Sequence, residues 1–271
     1  MKKLSCAAAG LLAAVCVAGP VQAKTICTAL ADADTGDILL RQGNCSERVT
    51  PASTFKIPLA VMGYDSGFLK DAHAPALPFR QGYVDWGGDN WRQSTDPTRW
   101  LKYSVVWYSQ QIAHQLGADT LSRYARAFGY GNADFAGDPG KNNGLERAWI
   151  GSSLKVSPLE QLAFLGKLLK DRLPASPQAQ QMTRRIVEQT ALPGGWTVHG
   201  KTGMAYPLLR DGAQDQEHPY GWFVGWAERG ERRLVFARLI QDDRKEPGTA
   251  GVRSREAFLK ELPALAAGLP R

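Results

Sequence analysis

Pro51-Ala52-Ser53-Thr54-Phe55-Lys56-Ile57-Pro58 sets a serine and a lysine three residues apart, ahead of an apolar run through Leu59, Ala60, Val61 and Met62. At that spacing two side chains share one face of a helix, one turn from each other. The pattern predicts a helix from about Ser53 to Tyr64, stopping near Gly67. A helix N-terminus turns backbone N–H groups outward and favours negative charge. A hydroxyl nucleophile, a basic nitrogen in reach and ready anion donors form the minimum kit for acyl transfer. Spelling alone does not decide, because Ser152-Ser153-Leu154-Lys155 repeats it further along.

The 271 residues, 44% of them hydrophobic, suit one large domain or two small ones with a sizeable core. The first residues read as an export signal. Lys2 and Lys3 supply its positive end, Ala7 to Ala18 its apolar stretch and Val21-Gln22-Ala23 a small-residue cleavage site. The expected mature chain is residues 24–271, in the periplasm, with no stable membrane association. No later segment approaches the ~20 apolar residues of a membrane span.

Cys6 and Cys16 leave with the signal, so Cys27 and Cys45 remain. In an oxidising compartment this pair is a disulfide candidate. His73, His114, His199 and His218 show no zinc-type spacing, and no metal is expected. The formal charge of +7 falls to +5 without Lys2 and Lys3, and the basic residues are dispersed. No basic stripe with interleaved aromatics marks a nucleic-acid partner.

Thr25 to Asp32, the turn Asp34-Thr35-Gly36 and Ile38-Leu39-Leu40 predict an opening hairpin. Asp71 to Thr98 reads as a long irregular connection rich in Pro, Gly, Asp and Trp. Helical periodicity follows over Leu101–Leu116 and Ala118–Phe128, with Ala136 to Gly144 turn-rich. Ser157-Pro158-Leu159-Glu160 opens another helix with a capping box, running to about Leu168. A further helix is predicted over Pro177–Thr190, then strands over Trp196–Lys201, Gly221–Trp226 and Arg233–Ile240, and a last helix over Arg255–Ala267. The expected fold is α/β of the α+β type, an antiparallel sheet with helices on both faces beside a mostly helical region.

Three further places complete the kit. Ser104 in Tyr103-Ser104-Val105-Val106 is placed to relay a proton near a helix start. Lys201-Thr202-Gly203 offers an ammonium, a hydroxyl and a glycine that admits close backbone approach. Trp149-Ile150-Gly151-Ser152-Ser153-Leu154 is able to wall a pocket. Singly these are weak signals, since a lone helical serine is usually solvated and a Lys-Thr-Gly tripeptide is usually a turn.

In this order and spacing, the set resembles the class D (oxacillinase-type) serine β-lactamases over essentially the whole mature chain. Ser-Thr-Phe-Lys at 53–56, Ser-x-Val at 104–106, Tyr-Gly-Asn at 130–132, Trp-x-x-Ser at 149–152 and Lys-Thr-Gly at 201–203 carry the resemblance, with Tyr220-Gly221-Trp222-Phe223-Val224-Gly225-Trp226 beyond them.

The resemblance implies a penicillin-recognising, transpeptidase-like fold and hydrolysis of β-lactam antibiotics, conferring resistance. Ser53 would be the nucleophile and Lys56 the general base, as an N-carboxylysine formed from carbon dioxide or bicarbonate, with no other cofactor. Ser104, assisted by Lys201, would protonate the leaving nitrogen. The N–H groups of Ser53 and Met204 would hold the oxyanion. Trp149 would stabilise the carbamate, with Val106 and Ile150 as apolar walls. Lys201, Thr202, Gly203 and an arginine at the start of the last helix would bind the substrate carboxylate. Arg253 and Arg255 compete for that place, and the arginine-then-apolar register favours Arg255, leaving Arg253 solvent-exposed. Tyr130 and Asn132 are read as structural.

Two rivals stand beside this reading. A penicillin-binding or β-lactam-sensor protein is acylated at the same motif without turnover. An exported binding module would use Ser53 merely as a helix cap and form no covalent adduct.

Overall fold

The computed structural model describes residues 23–270. The expected signal lies outside the described residues except for Ala23, as do Cys6 and Cys16. The chain opens with the expected hairpin, β1 (Lys24–Asp32) and β2 (Ile38–Gly43). A disulfide joins Cys27 on β1 to Cys45 just past β2. Helices α1 (Lys56–Asp65), α2 (Pro97–Tyr103), α3 (Val106–Leu116), α4 (Ala118–Phe128), α5 (Gly144–Arg147), α6 (Pro158–Leu169) and α7 (Pro177–Ile186) follow. Strands β3 (Gln189–Leu192), β4 (Trp196–Ala205), β5 (Tyr220–Arg229) and β6 (Arg232–Gln241) precede the closing helix α8 (Ala250–Ala267).

The strands form one sheet in the order β2-β1-β6-β5-β4-β3, every pairing antiparallel. β5 and β6 are buried almost end to end, as strands covered on both faces must be. Alternate residues split between two cores. Phe223 and Phe236 meet Phe258 and Leu262 of α8 on one face, with the Phe236 and Phe258 rings 4.3 Å apart. Trp222, Val224 and Leu239 join the larger core built with α1, α3, α4 and α6. β1, from the start of the chain, pairs with β6 near its end, so both ends of the chain complete the sheet.

Several expected boundaries move. The nucleophile segment begins as a 3-10 turn, Ala52–Phe55, and α-helical geometry starts only at Lys56. The helix expected over Leu101–Leu116 is two helices, because Ser104 takes a left-handed conformation (φ 57°) that ends α2, and Val105 is extended. α2 itself starts earlier, where Asp96 accepts the Arg99 N–H at 2.7 Å and Pro97 fills the first turn. α7 stops at Ile186, short of Thr190, which pairs with Val198 in the edge strand β3. α8 begins at Ala250, not Arg255, capped by the Thr249 side chain. The Ser157–Glu160 capping box forms as expected.

Candidate active site

Ser53 lies in a turn that the surrounding fold holds in place. Ala52 before it has φ 50°, a region that costs a residue with a Cβ of order 1 kcal/mol and persists only where neighbours enforce it. The enforcement is visible. Thr54 Oγ1 donates to the Pro51 carbonyl at 2.7 Å and accepts from buried Gln161 Nε2 of α6 at 2.9 Å. On the other side, a Cβ at Gly203 would sit 3.0 Å from the Pro51 oxygen and 3.2 Å from the Ser53 nitrogen. A Cβ at Gly251 of α8 would come within 2.7 Å of the Gly203 oxygen. Glycines thus let β4 lie directly between the serine turn and the start of α8.

Lys56 opens α1 with no solvent exposure, and its Nζ donates to Ser53 Oγ at 3.3 Å. Burial takes its ammonium well below the usual lysine range, and repulsion from Lys201 adds to the effect. Lys201 on β4 is also buried, its Nζ donating to the Thr202 carbonyl at 3.0 Å. Burial lowers it to about 8, with Glu188 opposing and Arg255 assisting. Two amines, both weakened as bases of protonation by desolvation, therefore face one site.

The site has two chambers that share Tyr103, Ser104 and Thr202. One, of about 350 Å³, holds Ser53 among Val106, Ile150, Gly203 and Met204. The other, of about 180 Å³, holds Lys201 and Arg255 with Glu188 and Thr190. Ser104, at the break between α2 and α3, stands where the two meet. One chamber presents a nucleophile within apolar walls, and the other presents cations. The pair suits an acyl compound that carries an anion.

A family model described as the penicillin binding protein transpeptidase domain matches residues 26–264. The chain is 42% identical to β-lactamase OXA-9 of Klebsiella pneumoniae over 239 residues, covering 88% of this chain and 87% of that one. It is 31% identical to β-lactamase OXA-1 of Escherichia coli, covering 88% and 84%. The chain belongs to the class D β-lactamase family. Among solved structures, that of the OXA-427 class D β-lactamase superposes with a TM-score of 0.82 at 47% identity, over 89% of this chain and 98% of that one.

In this class D chain, Ser53, Ser104, Thr202, Gly203, Met204, Val106 and Ile150 come together around one chamber, with Lys56 beneath Ser53. Trp149 is buried one layer back, its ring 5.4 Å from that of Phe55, the residue before Lys56. Arg255 lines the cationic chamber and donates to Thr190 Oγ1 at 2.9 Å. Arg253 departs from expectation. It is not simply solvated but is drawn away to the Asp242 carboxylate and to the Pro247 carbonyl. Two residues apart on one helix, the arginines point to different neighbours, and only Arg255 reaches the chamber.

The second Ser-x-x-Lys resolves as wall. Ser152 is buried, and Lys155 is exposed with its backbone tied to Asn132 Oδ1 at 2.9 Å. Asn132 also donates to the Ser153 carbonyl at 2.8 Å, and Tyr130 packs on Phe55, so both keep the structural part expected of them.

Thr50 belongs to no motif legible along the chain. Its hydroxyl donates to the Trp149 carbonyl and accepts the Gly151 N–H, both at 2.9 Å, while its carbonyl accepts the Trp222 indole N–H. One threonine thereby ties the Trp149–Gly151 wall to β5 and to the serine turn. Trp86 and Trp91 were also missed as lining residues, hidden in the irregular connection.

Proposed function

We propose that this protein is a periplasmic hydrolase of β-lactam antibiotics that works through a Ser53 acyl-enzyme, with carboxylated Lys56 as its general base. The observation that carries this is a fully buried lysine amine 3.3 Å from the serine oxygen. A desolvated, neutral amine is the form that adds carbon dioxide, so this pocket fits the modification. Once formed, the carbamate supplies an anionic base able to take a proton from the serine hydroxyl or from a water. No further cofactor is needed for the chemistry.

Ser53 Oγ attacks the lactam carbonyl carbon, and the N–H groups of Ser53 and Met204 hold the oxygen as it becomes negative. The ring C–N bond then breaks, and the Ser104 hydroxyl passes a proton to the leaving nitrogen. Lys201, lowered to about 8, stays largely protonated near neutrality yet is ready to replenish Ser104. Lys201, Thr202 and Arg255 attract the substrate carboxylate. Water then loses a proton to the base as it attacks the ester carbonyl, the bond between the acyl carbon and Ser53 Oγ breaks, and Oγ regains a proton to free the enzyme. Export agrees with the leader-like N-terminus and with the Cys27–Cys45 disulfide, a bond of oxidising compartments.

Hydrolysis of benzylpenicillin, followed by loss of the lactam absorbance, tests the reading. Lowering the pH protonates Lys56 and drains its carboxylated form, so added bicarbonate should restore rate at mildly acidic pH. Initial rates indifferent to bicarbonate there would remove the carbamate from the account. A second expected outcome concerns the strand behind the serine. Gly203→Ala must push β4 away from Ser53, so kcat should fall on the order of 10²-fold, the scale of a lost oxyanion donor. Unchanged steady-state turnover in Gly203→Ala would show that the close approach of β4 is not needed.

A further inference from the structure

We propose that Glu188 determines specificity at the carboxylate end of the site, favouring cephem β-lactams that carry a quaternary nitrogen beside the carboxylate. The inference rests on the β-lactam reading and narrows it to a substrate class. Glu188 is the one acid among the described residues lining either chamber, and it stands with Lys201 and Arg255. A wall that had only to attract a carboxylate would lose by holding an acid, because like charges repel across the chamber.

The backbone fixes the acid in place. Glu188 lies in the short link between α7 and β3, where Val187 is buried and the Glu188 carbonyl accepts the Gly200 N–H at 3.1 Å. Gly200 precedes Lys201, so the link is pinned beside that lysine. Thr190, two residues on, accepts from Arg255 Nη2 at 2.9 Å. The Glu188 carboxylate stops 3.9 Å short of the same nitrogen, beyond hydrogen-bond reach, and 48% of its side chain remains in solvent. Among the described residues no hydrogen bond engages that carboxylate. The next ion pair on α8 differs, since Asp242 is buried and closed onto Arg253. Burial lowers the Lys201 ammonium and Glu188 opposes that fall, so the acid is felt inside the chamber.

The placement of charge gives the ligand. Lys201 and Arg255 draw the substrate carboxylate into this chamber, with Glu188 at its side. In a cephem the ring carbon next to the one bearing the carboxylate carries a further substituent, which therefore enters the same chamber. A neutral substituent leaves Glu188 facing a carboxylate with nothing to offset it. A quaternary nitrogen there meets Glu188 while the carboxylate meets the two cations, so a zwitterion matches the chamber at both signs.

The experiment compares two cephems that share a 2-thienylacetyl side chain, one with an acetoxymethyl and one with a pyridiniomethyl substituent beside the carboxylate. Their affinities are measured by calorimetry on Ser53→Ala and on Ser53→Ala/Glu188→Gln, where no bond is broken. The preference for the pyridinium compound should fall about 2- to 5-fold when the Glu188 charge is removed, the scale of one exposed ion pair. Glu188→Asp should stay closer to the unaltered preference than Glu188→Gln does. Added salt should shrink the preference in Ser53→Ala and leave that of the double variant nearly unmoved. A preference unchanged by Glu188→Gln, or no binding of either compound, overturns the inference. Hydrolysis by the otherwise unaltered chain is followed in parallel. If neither compound is hydrolysed while the preference still falls, the role of Glu188 stands and the hydrolase reading fails.

Discussion

Ser53→Ala should abolish hydrolysis of benzylpenicillin, lowering kcat/KM on the order of 10⁴-fold or more, and intact mass should show no covalent adduct. The size follows from the nature of the loss. Oxyanion donors and carboxylate contacts remain, but no oxygen is left to form the acyl-enzyme, and water must attack unaided. The fold should not suffer. Ser53 is partly exposed in a turn held by Thr54, Gln161 and the Gly203 approach, none of which uses its hydroxyl. A thermal midpoint close to that of the unaltered protein, together with lost turnover, is the expected result. Appreciable hydrolysis by Ser53→Ala would move the nucleophile elsewhere.

Removing the Lys56 amine should separate the two halves of the reaction. Lys56→Ala should acylate slowly and then hold its adduct, with deacylation slowed about 10²–10⁴-fold, the range of a lost general base. Truncating a fully buried side chain also opens a cavity, so Lys56→Met is the sharper variant. Methionine fills similar length without the amine. Its thermal midpoint should equal or exceed that of the unaltered protein, because burying an amine is costly. Turnover should nevertheless be lost in the same way. Normal deacylation by Lys56→Met would take the base from Lys56.

What was legible in the sequence is what short-range chemistry specifies. The opening hairpin has a turn between two β-rich runs, the Ser157–Glu160 box caps its own helix, and α4 ends at a glycine in the left-handed region. These features need only neighbours along the chain. The break at Ser104 was not legible, since apolar residues continue in helical rhythm on both sides of it while the backbone reverses hand. β3 was absorbed into the preceding helix because an exposed four-residue edge strand carries little pattern of its own. Its existence depends on pairing with β4.

The candidate site divides along the same line. Reactive residue types stood in ordered motifs, and the structure brings those motifs around one cleft. The parts that hold them were silent. Thr50 acts on a wall 99 residues away and Gln161 on a turn 107 residues away, and neither belongs to a local motif. Arg253 and Arg255 were ranked by register, yet what parts them is Asp242 at the end of β6, which claims one and leaves the other to the chamber.

The central claim is that Ser53 forms an ester that the protein itself then releases. Mixing the protein with a modest excess of benzylpenicillin and following its intact mass over time tests this most directly. The account predicts a transient gain of one penicillin mass on the peptide bearing Ser53, then return to the starting mass with accumulation of ring-opened penicilloate. A lasting adduct would contradict it by showing acylation without turnover, and the absence of any adduct or hydrolysed product would contradict it outright.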